Sequence, residues 1–101
     1  MNYTKRQGDK GIMKFVLNKC YGGFDLSEEA QEILGQADYE IKRDDPDLLA
    51  LIEEKGIQFV QGKYAKLKIV EVPESATDFT LDEYDGWERI IYVVNGKLNF
   101  V

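Results

Sequence analysis

The first residue with chemical potential is Cys20, the only cysteine in the chain, which lies in the segment KCYGGF, residues 19–24. A cysteine acts as a nucleophile when a nearby positive charge or base favours its thiolate. Lys19 and the start of a following helix could supply positive potential, but the chain has no histidine to take the proton. Free cysteines are among the most buried residue types. The sequence therefore favours a structural Cys20 over a catalytic one.

The glycine pair in the same segment offers a different chemistry. Gly22 and Gly23 between a strand and a helix could present backbone N–H groups to an anion. The spacing matches neither GxxxxGK[ST] nor GxGxxG, and Lys19 precedes the glycines. The alternative is that the glycines adopt backbone angles closed to other residues, with Tyr21 and Phe24 packed beneath the loop. Both interpretations stay open.

A second candidate is RDDPD, residues 43–47. Three aspartates close together suggest a divalent cation, although such a site needs several oxygens aimed at one point. Asp45 is also explained as the N-cap of a helix. Arg43 could pair with Asp44 or hold a carboxylate of another loop.

A third candidate is EYDGWE, residues 83–88, which joins two predicted strands. Aromatic residues rimmed by charge are typical of protein-binding surfaces. The alternative is a plain hairpin turn with Trp87 folded into the core. We expect the three segments to cluster if the strands bring their ends together. The candidate binding residues are Lys19, Cys20, Tyr21, Gly22, Gly23, Arg43, Asp44, Tyr84, Asp85 and Trp87.

Composition limits the function further. A net charge of −6 and a pI near 4.6 argue against a nucleic-acid binder that neutralises phosphates. No histidine and a single cysteine exclude Ser-His-Asp, Cys-His and zinc hydrolase chemistry within one chain. An enzyme using aspartate and tyrosine stays open, but no spacing selects it. We expect no cofactor.

Localisation follows from what the chain lacks. One cysteine cannot form an intramolecular disulfide, and the sequence has neither a signal-peptide pattern nor an apolar run near the roughly 20 residues that cross a bilayer. The sequence therefore predicts a cytoplasmic protein without a membrane segment.

The first half of the chain alternates strand and helix patterns. An apolar run predicts a strand over residues 13–19. The segment LSEEAQEILG predicts a helix that begins after the N-cap Ser27 and ends at Gly35. Its apolar residues Ala30, Ile33 and Leu34 share one face. DYEIKRDD predicts a second strand, with Tyr39 and Ile41 on one side. DPDLLALIEEKG predicts a helix whose buried stripe is Leu48, Leu49, Leu51 and Ile52.

The second half has a period of two. IQFV is interpreted as a short strand, and YAKLKIVEV as a longer one with Ala65, Leu67 and Ile69 inward and Pro73 at its end. FTLDEY, WERIIYVV and KLNFV predict three strands joined by turns at Asp85-Gly86 and Asn95-Gly96.

These elements predict one α+β domain over residues 13–101, two short helices packing on one face of a mostly antiparallel sheet that ends in a β-meander or hairpin. The polar residues 1–12 are interpreted as a flexible leader, and Met13 as a possible native start. The last hairpin ends in an apolar strand, and an unprotected edge of this kind tends either to pair with a second chain, here as a homodimer, or to be covered.

Three segments also carry a resemblance. KFVLNKCYGGFDLSEEA, RDDPDLLALIEEKG and the stretch from AKLKIVEVP to DEYDGWE resemble, in this order, a family of small uncharacterised proteins encoded by bacteriophages and prophages. The similarity spans roughly residues 13–89, while the ending IIYVVNGKLNFV departs from the family and the leader is additional. The resemblance implies a viral accessory protein in bacterial cytoplasm, and it assigns no functional residue.

The sequence thus favours a non-enzymatic phage or prophage accessory protein that binds a host or phage macromolecule, for example as an inhibitor of a host process or defence system. The alternative is a small-ligand or nucleotide-binding module that uses the Gly22-Gly23 loop and Arg43.

Overall fold

A computed structural model describes residues 11–101 of the chain, so most of the predicted leader, residues 1–10, lies outside the described residues. Within this range the chain forms five strands and three helices. In chain order they are β1 (Ile12–Asn18), α1 (Glu28–Leu34), α2 (Pro46–Lys55), α3 (Ile57–Val60), β2 (Leu67–Pro73), β3 (Asp78–Tyr84), β4 (Trp87–Val94) and β5 (Lys97–Phe100).

Strands β1 and β2 pair antiparallel as a two-stranded sheet, from Ile12 opposite Pro73 to Asn18 opposite Leu67. Successive side chains of a strand point to opposite faces, and here both faces are covered. Val16 belongs to a core cluster with the helices, whereas its neighbours Phe15 and Leu17 pack in a second cluster with Ile90 of β4. This burial on both sides explains the continuous apolar run of β1.

The helices cover one face of this sheet, as the sequence predicts. Ser27 caps α1 by accepting from the backbone N–H of Ala30, and Gly35 ends that helix. Asp45 caps α2 by accepting from two backbone N–H groups of the first turn. The residues of α2 that are buried against the sheet are Leu48, Leu51 and Ile52, with Leu49 packed at the margin of the cluster.

Strands β3, β4 and β5 form a separate three-stranded antiparallel meander in chain order. Asp85 and Asn95 have φ angles of 53° and 52° and each precedes a glycine, as the two-residue hairpin turns require. The fold is therefore α+β, with the helices, the two-stranded sheet and the three-stranded sheet as successive layers. Within residues 11–101, no helix is long and apolar enough to span a membrane.

Two predicted strands are wrong. The segment around Tyr39 and Ile41 forms turns, because its backbone groups bond locally: Glu40 N–H donates to Ala37 and Asp45 N–H to Lys42. Tyr39 is consequently 85% exposed while Ile41 is buried, so the two do not share a face.

The predicted IQFV strand is instead the single helical turn α3. Ile57 and Val60 both pack on the core, and their i, i+3 spacing suits a helix rather than a strand. Ile33 is also expected on the buried face of α1, but it is 56% exposed, because α1 contacts the core through Ala30 and Leu34 instead.

Candidate functional site

The KCYGGF loop and the EYDGWE turn, which are distant in the chain, contact each other through their glycines. A Cβ atom on Gly86 would lie 2.7 Å from the backbone nitrogen of Gly23 and 3.2 Å from the carbonyl oxygen of Tyr21. Only a glycine allows this approach, because any side chain would overlap the opposing backbone. The expected clustering of these two segments is thus present in the structure.

Asn18, at the end of β1, holds the two loops from beneath. Its side chain is fully buried, and its Nδ2 donates to the carbonyl oxygens of Cys20 at 2.6 Å and Gly86 at 2.7 Å. Its Oδ1 accepts from the backbone N–H of Lys66 at 2.8 Å. One amide therefore joins three segments. From the sequence, Asn18 is interpreted as an ordinary strand residue. A polar side chain at the end of a buried apolar run could have indicated a hydrogen-bonding role, because buried polar groups need partners.

Arg43 brings the RDDPD segment to the same place through Glu88 of β4. The Glu88 carboxylate is almost completely buried, and it accepts from Arg43 Nε at 3.0 Å and from Nη2 at 2.5 Å. Its Oε1 also accepts from the backbone N–H of Asn18 at 3.0 Å. The guanidinium carbon stands 3.6 Å from the centroid of the Phe24 ring. The observed partner of Arg43 is thus a carboxylate of a distant segment, as one of the two predictions has it, but this carboxylate lies on strand β4 and not on a loop.

Glu88 was missed by sequence reasoning, which placed it within an apolar strand. It lies two residues after the Asp85-Gly86 turn, at the point where β4 passes the end of β1. Only the meeting of these two strands makes a buried carboxylate necessary to satisfy Arg43 and the Asn18 backbone.

Lys19 is also engaged in this network. Its Nζ donates to the Glu88 carbonyl oxygen at 2.7 Å. Burial lowers the pKa of the Lys19 ammonium below its ordinary value, and the positive charges of Lys68 and Arg89 lower it further, while Glu88 opposes them. Lys19 therefore ties the loop to β4.

Cys20 and Gly22 pack on the backbone of Tyr64. The Cys20 sulfur lies 3.2 Å from the Tyr64 carbonyl oxygen and 3.3 Å from Asn18 Oδ1, two acceptors for the thiol proton. A Cβ atom on Gly22 would stand 1.8 Å from the same carbonyl oxygen. These contacts give both residues structural roles. A carbonyl oxygen in this space weighs against an anion there, because both are negative.

Above the network, three aromatic side chains lie on the surface. Tyr21 is 65% exposed, Tyr84 73% and Trp87 40%. The Tyr21 and Trp87 rings meet edge to face with centroids 5.1 Å apart. The expectations that Trp87 folds into the core and that Tyr21 packs beneath the loop are therefore wrong. Phe24, the other aromatic residue of the KCYGGF loop, does pack against the core.

These rings border an open cleft of about 460 Å³ that also has charged walls. Arg89 Nε donates to Asp82 Oδ2 at 2.8 Å in a half-exposed ion pair. A Glu83 carboxylate oxygen accepts from the backbone N–H of Gly86, which orients that side chain across the turn. The residues that line the cleft are Tyr21, Asp82, Glu83, Tyr84, Trp87 and Arg89.

Asp44 lies apart from this surface. It borders a second cleft of about 410 Å³, between the turn that carries Arg43 and strand β3. Within residues 11–101, no three Asp, Glu or Cys side chains are grouped so that they could hold a metal ion.

A second acidic feature, also missed by sequence reasoning, is the pair of Asp25 and Asp38. The Asp25 carboxyl group packs directly on Gly62, where a Cβ atom would stand 2.2 Å from its Cγ. Burial and a hydrogen bond with Asp38 raise the pKa of Asp25 above its ordinary value, and the negative charge of Asp38 adds to this effect.

Comparisons with protein-family models, curated proteins and solved structures found no significant match for the chain. Functional proposals for this protein therefore depend on the arrangement of its own side chains.

Proposed function

We propose that this protein is a non-enzymatic binding protein that recognises another protein through the aromatic surface of Tyr21, Tyr84 and Trp87. The observation that carries the proposal is the assembly of these exposed rings, from a loop and a turn distant in sequence, over a saturated polar network. Tyrosine and tryptophan are the residues most enriched at the energetic centres of protein interfaces.

The network beneath supports this proposal because it keeps the surface in place before binding. Asn18 links the loop to the turn, and the Arg43–Glu88 pair holds both against a third segment. A surface ordered in advance loses less conformational entropy on association. The polar groups of the network bond to one another, which suits a structural role better than a catalytic one.

For biological context, the resemblance to phage and prophage proteins favours a partner of host or phage origin in bacterial cytoplasm. Inhibition of a host process or defence system is the corresponding mode of action. The acidic composition, with a net charge of −6, suits a protein partner better than a nucleic acid.

The experiment is an affinity pull-down from bacterial lysate with the tagged protein, followed by identification of the retained proteins. We expect the wild type to retain one specific protein and the double variant Tyr84→Ala/Trp87→Ala to lose it, because truncation of central interface aromatics typically costs about 2 kcal/mol or more each.

The matched control is Ile33→Ala/Tyr39→Ala, which removes two exposed apolar side chains elsewhere. Circular dichroism should show that both variants fold. Retention of the same protein by the folded Tyr84→Ala/Trp87→Ala variant would contradict the proposed surface.

A further inference from the structure

The cleft beside the aromatic surface combines the two features that attract an organic cation. Tyr21, Tyr84 and Trp87 contribute rings whose faces carry negative electrostatic potential, and cations bind such faces within about 6 Å of the ring centroid. The β3 residues Asp82 and Glu83, both with carboxylate side chains, also line the cleft. An internal example lies on the neighbouring strands β4 and β5, where the Arg89 guanidinium stands 4.8 Å from the centroid of the Phe100 ring.

The charges at the cleft are not balanced. Asp82 is paired with Arg89, but Glu83, the other acidic residue of the cleft lining, forms no ion pair among residues 11–101. Asp85, on the adjoining turn, forms none among these residues either. Asp85 is exposed at the tip of the turn, and the hydrogen bond from Gly86 directs the Glu83 carboxylate toward the same turn. Glu83 at the cleft and Asp85 on the adjoining turn are therefore exposed, and neither has a cationic partner among the described residues.

We infer that this cleft binds a lysine or arginine side chain presented by a basic segment of the partner protein, an inference that rests on the proposed binding function. The aliphatic stem of such a side chain packs along the Trp87 and Tyr84 rings while its charged end reaches Glu83 and Asp85. A volume of about 460 Å³ lies within the usual range of ligand-binding clefts.

The test uses the fluorescence of Trp87, the only tryptophan in the chain, which reports directly on the cleft. The probe is a ten-residue peptide of alternating lysine and glycine, and the control peptide has glutamine in place of every lysine. We expect a saturable change in Trp87 fluorescence with the lysine peptide and none with the glutamine peptide.

Two variants separate the cleft from general attraction to an acidic protein. Glu83→Gln/Asp85→Asn removes both charges but preserves the acceptor for Gly86 and, since asparagine tolerates positive φ, the turn. Glu53→Gln/Glu54→Gln removes the same charge from an exposed part of α2. We expect about tenfold weaker peptide binding for the first variant and less than about twofold for the second.

Equal weakening by the two variants, or no saturable binding by the wild type, would overturn the inference. The pull-down separates this failure from failure of the proposed function. A retained protein that requires Tyr84 and Trp87 but binds Glu83→Gln/Asp85→Asn as well as wild type would preserve the aromatic interface and reject the cationic partner.

Discussion

At the scale of single residues, Glu88 is the side chain on which the candidate site most depends. Its buried carboxylate joins Arg43 to the end of β1 at Asn18. A buried ion pair adds little to stability compared with well-packed apolar residues, but removal of one partner leaves an uncompensated charge in the interior. The pair therefore serves mainly to specify how three segments meet.

This argument predicts unequal effects for two arginine substitutions, one within this network and one in the exposed ion pair at the cleft. Arg43→Met leaves the Glu88 carboxylate buried without its cation, so we expect the free energy of unfolding to fall by about 3 kcal/mol. Arg89→Met breaks an ion pair whose side chains are 49% and 42% exposed, and we expect a loss below about 1 kcal/mol. Urea unfolding of both variants measures the difference, and equal losses would contradict it.

The Asp25–Asp38 pair predicts a specific pH dependence. Since the pKa of Asp25 is raised in the folded chain, the folded state binds more protons than the unfolded state between the ordinary and the raised value. The free energy of unfolding therefore falls as pH rises through this window. Asp25→Asn abolishes the effect, so we expect it to be more stable than wild type near pH 7 and to lose this advantage below about pH 4.

Urea unfolding at several pH values tests this prediction. Asp38→Asn removes the neighbouring charge and should shift stability near neutral pH in the same direction. If the difference in unfolding free energy between Asp25→Asn and wild type stays constant with pH, folding does not change the pKa of the Asp25 carboxyl group.

At the scale of elements, the KCYGGF loop is shaped by its contact with the backbone at Tyr64. Gly22→Ala would place a methyl group 1.8 Å from a carbonyl oxygen, so the loop must move. We expect a loss of about 2 to 3 kcal/mol in unfolding free energy. At Gly35 an added Cβ atom would meet no atom within 4 Å, but the backbone there is left-handed, a conformation that alanine disfavours. We therefore expect Gly35→Ala to lower the free energy of unfolding by only about 1 kcal/mol.

Thermal unfolding compares the two variants, and an equal or smaller loss for Gly22→Ala would contradict close packing of this loop. A second measurement, Trp87 fluorescence, reports whether each variant keeps the contact between the Tyr21 and Trp87 rings. Displacement of the loop should alter Trp87 fluorescence in Gly22→Ala but leave it unchanged in Gly35→Ala, whose site lies at the end of α1.

At the scale of the whole molecule, β5 lies at the edge of the three-stranded sheet, with Leu98 65% and Phe100 53% exposed. Such an edge can pair with a second chain. The sequence-based prediction of a homodimer through the C-terminal hairpin therefore stays a prediction. We expect light scattering to show a dimer that Leu98→Lys converts to monomer, whereas the distant control Tyr39→Lys leaves it intact. If the wild-type protein is a monomer at all concentrations tested, the homodimer prediction is wrong.

Local signals in the sequence were sufficient for most elements. Helix α2 was predictable because the Asp45 cap, Pro46 and the apolar stripe all agree, and the two hairpins because Asp85-Gly86 and Asn95-Gly96 favour the required backbone angles. The turns at residues 38–42 and helix α3 were not. A short alternating segment such as DYEIK and a short apolar run such as IQFV each fit a strand or a turn until the neighbouring hydrogen bonds are known.

The amino-acid sequence alone determined the helix caps and the two hairpin turns, since these depend on residues close together in the chain, and the order of the elements indicated the α+β class. It also singled out the three segments of the candidate site. Only the tertiary structure decided that Glu88 and Asn18 are the residues that join those segments and that Trp87 faces solvent. The physical reason is that a buried polar side chain is specified by its partners, here 45 and 68 residues away, and no local pattern contains them.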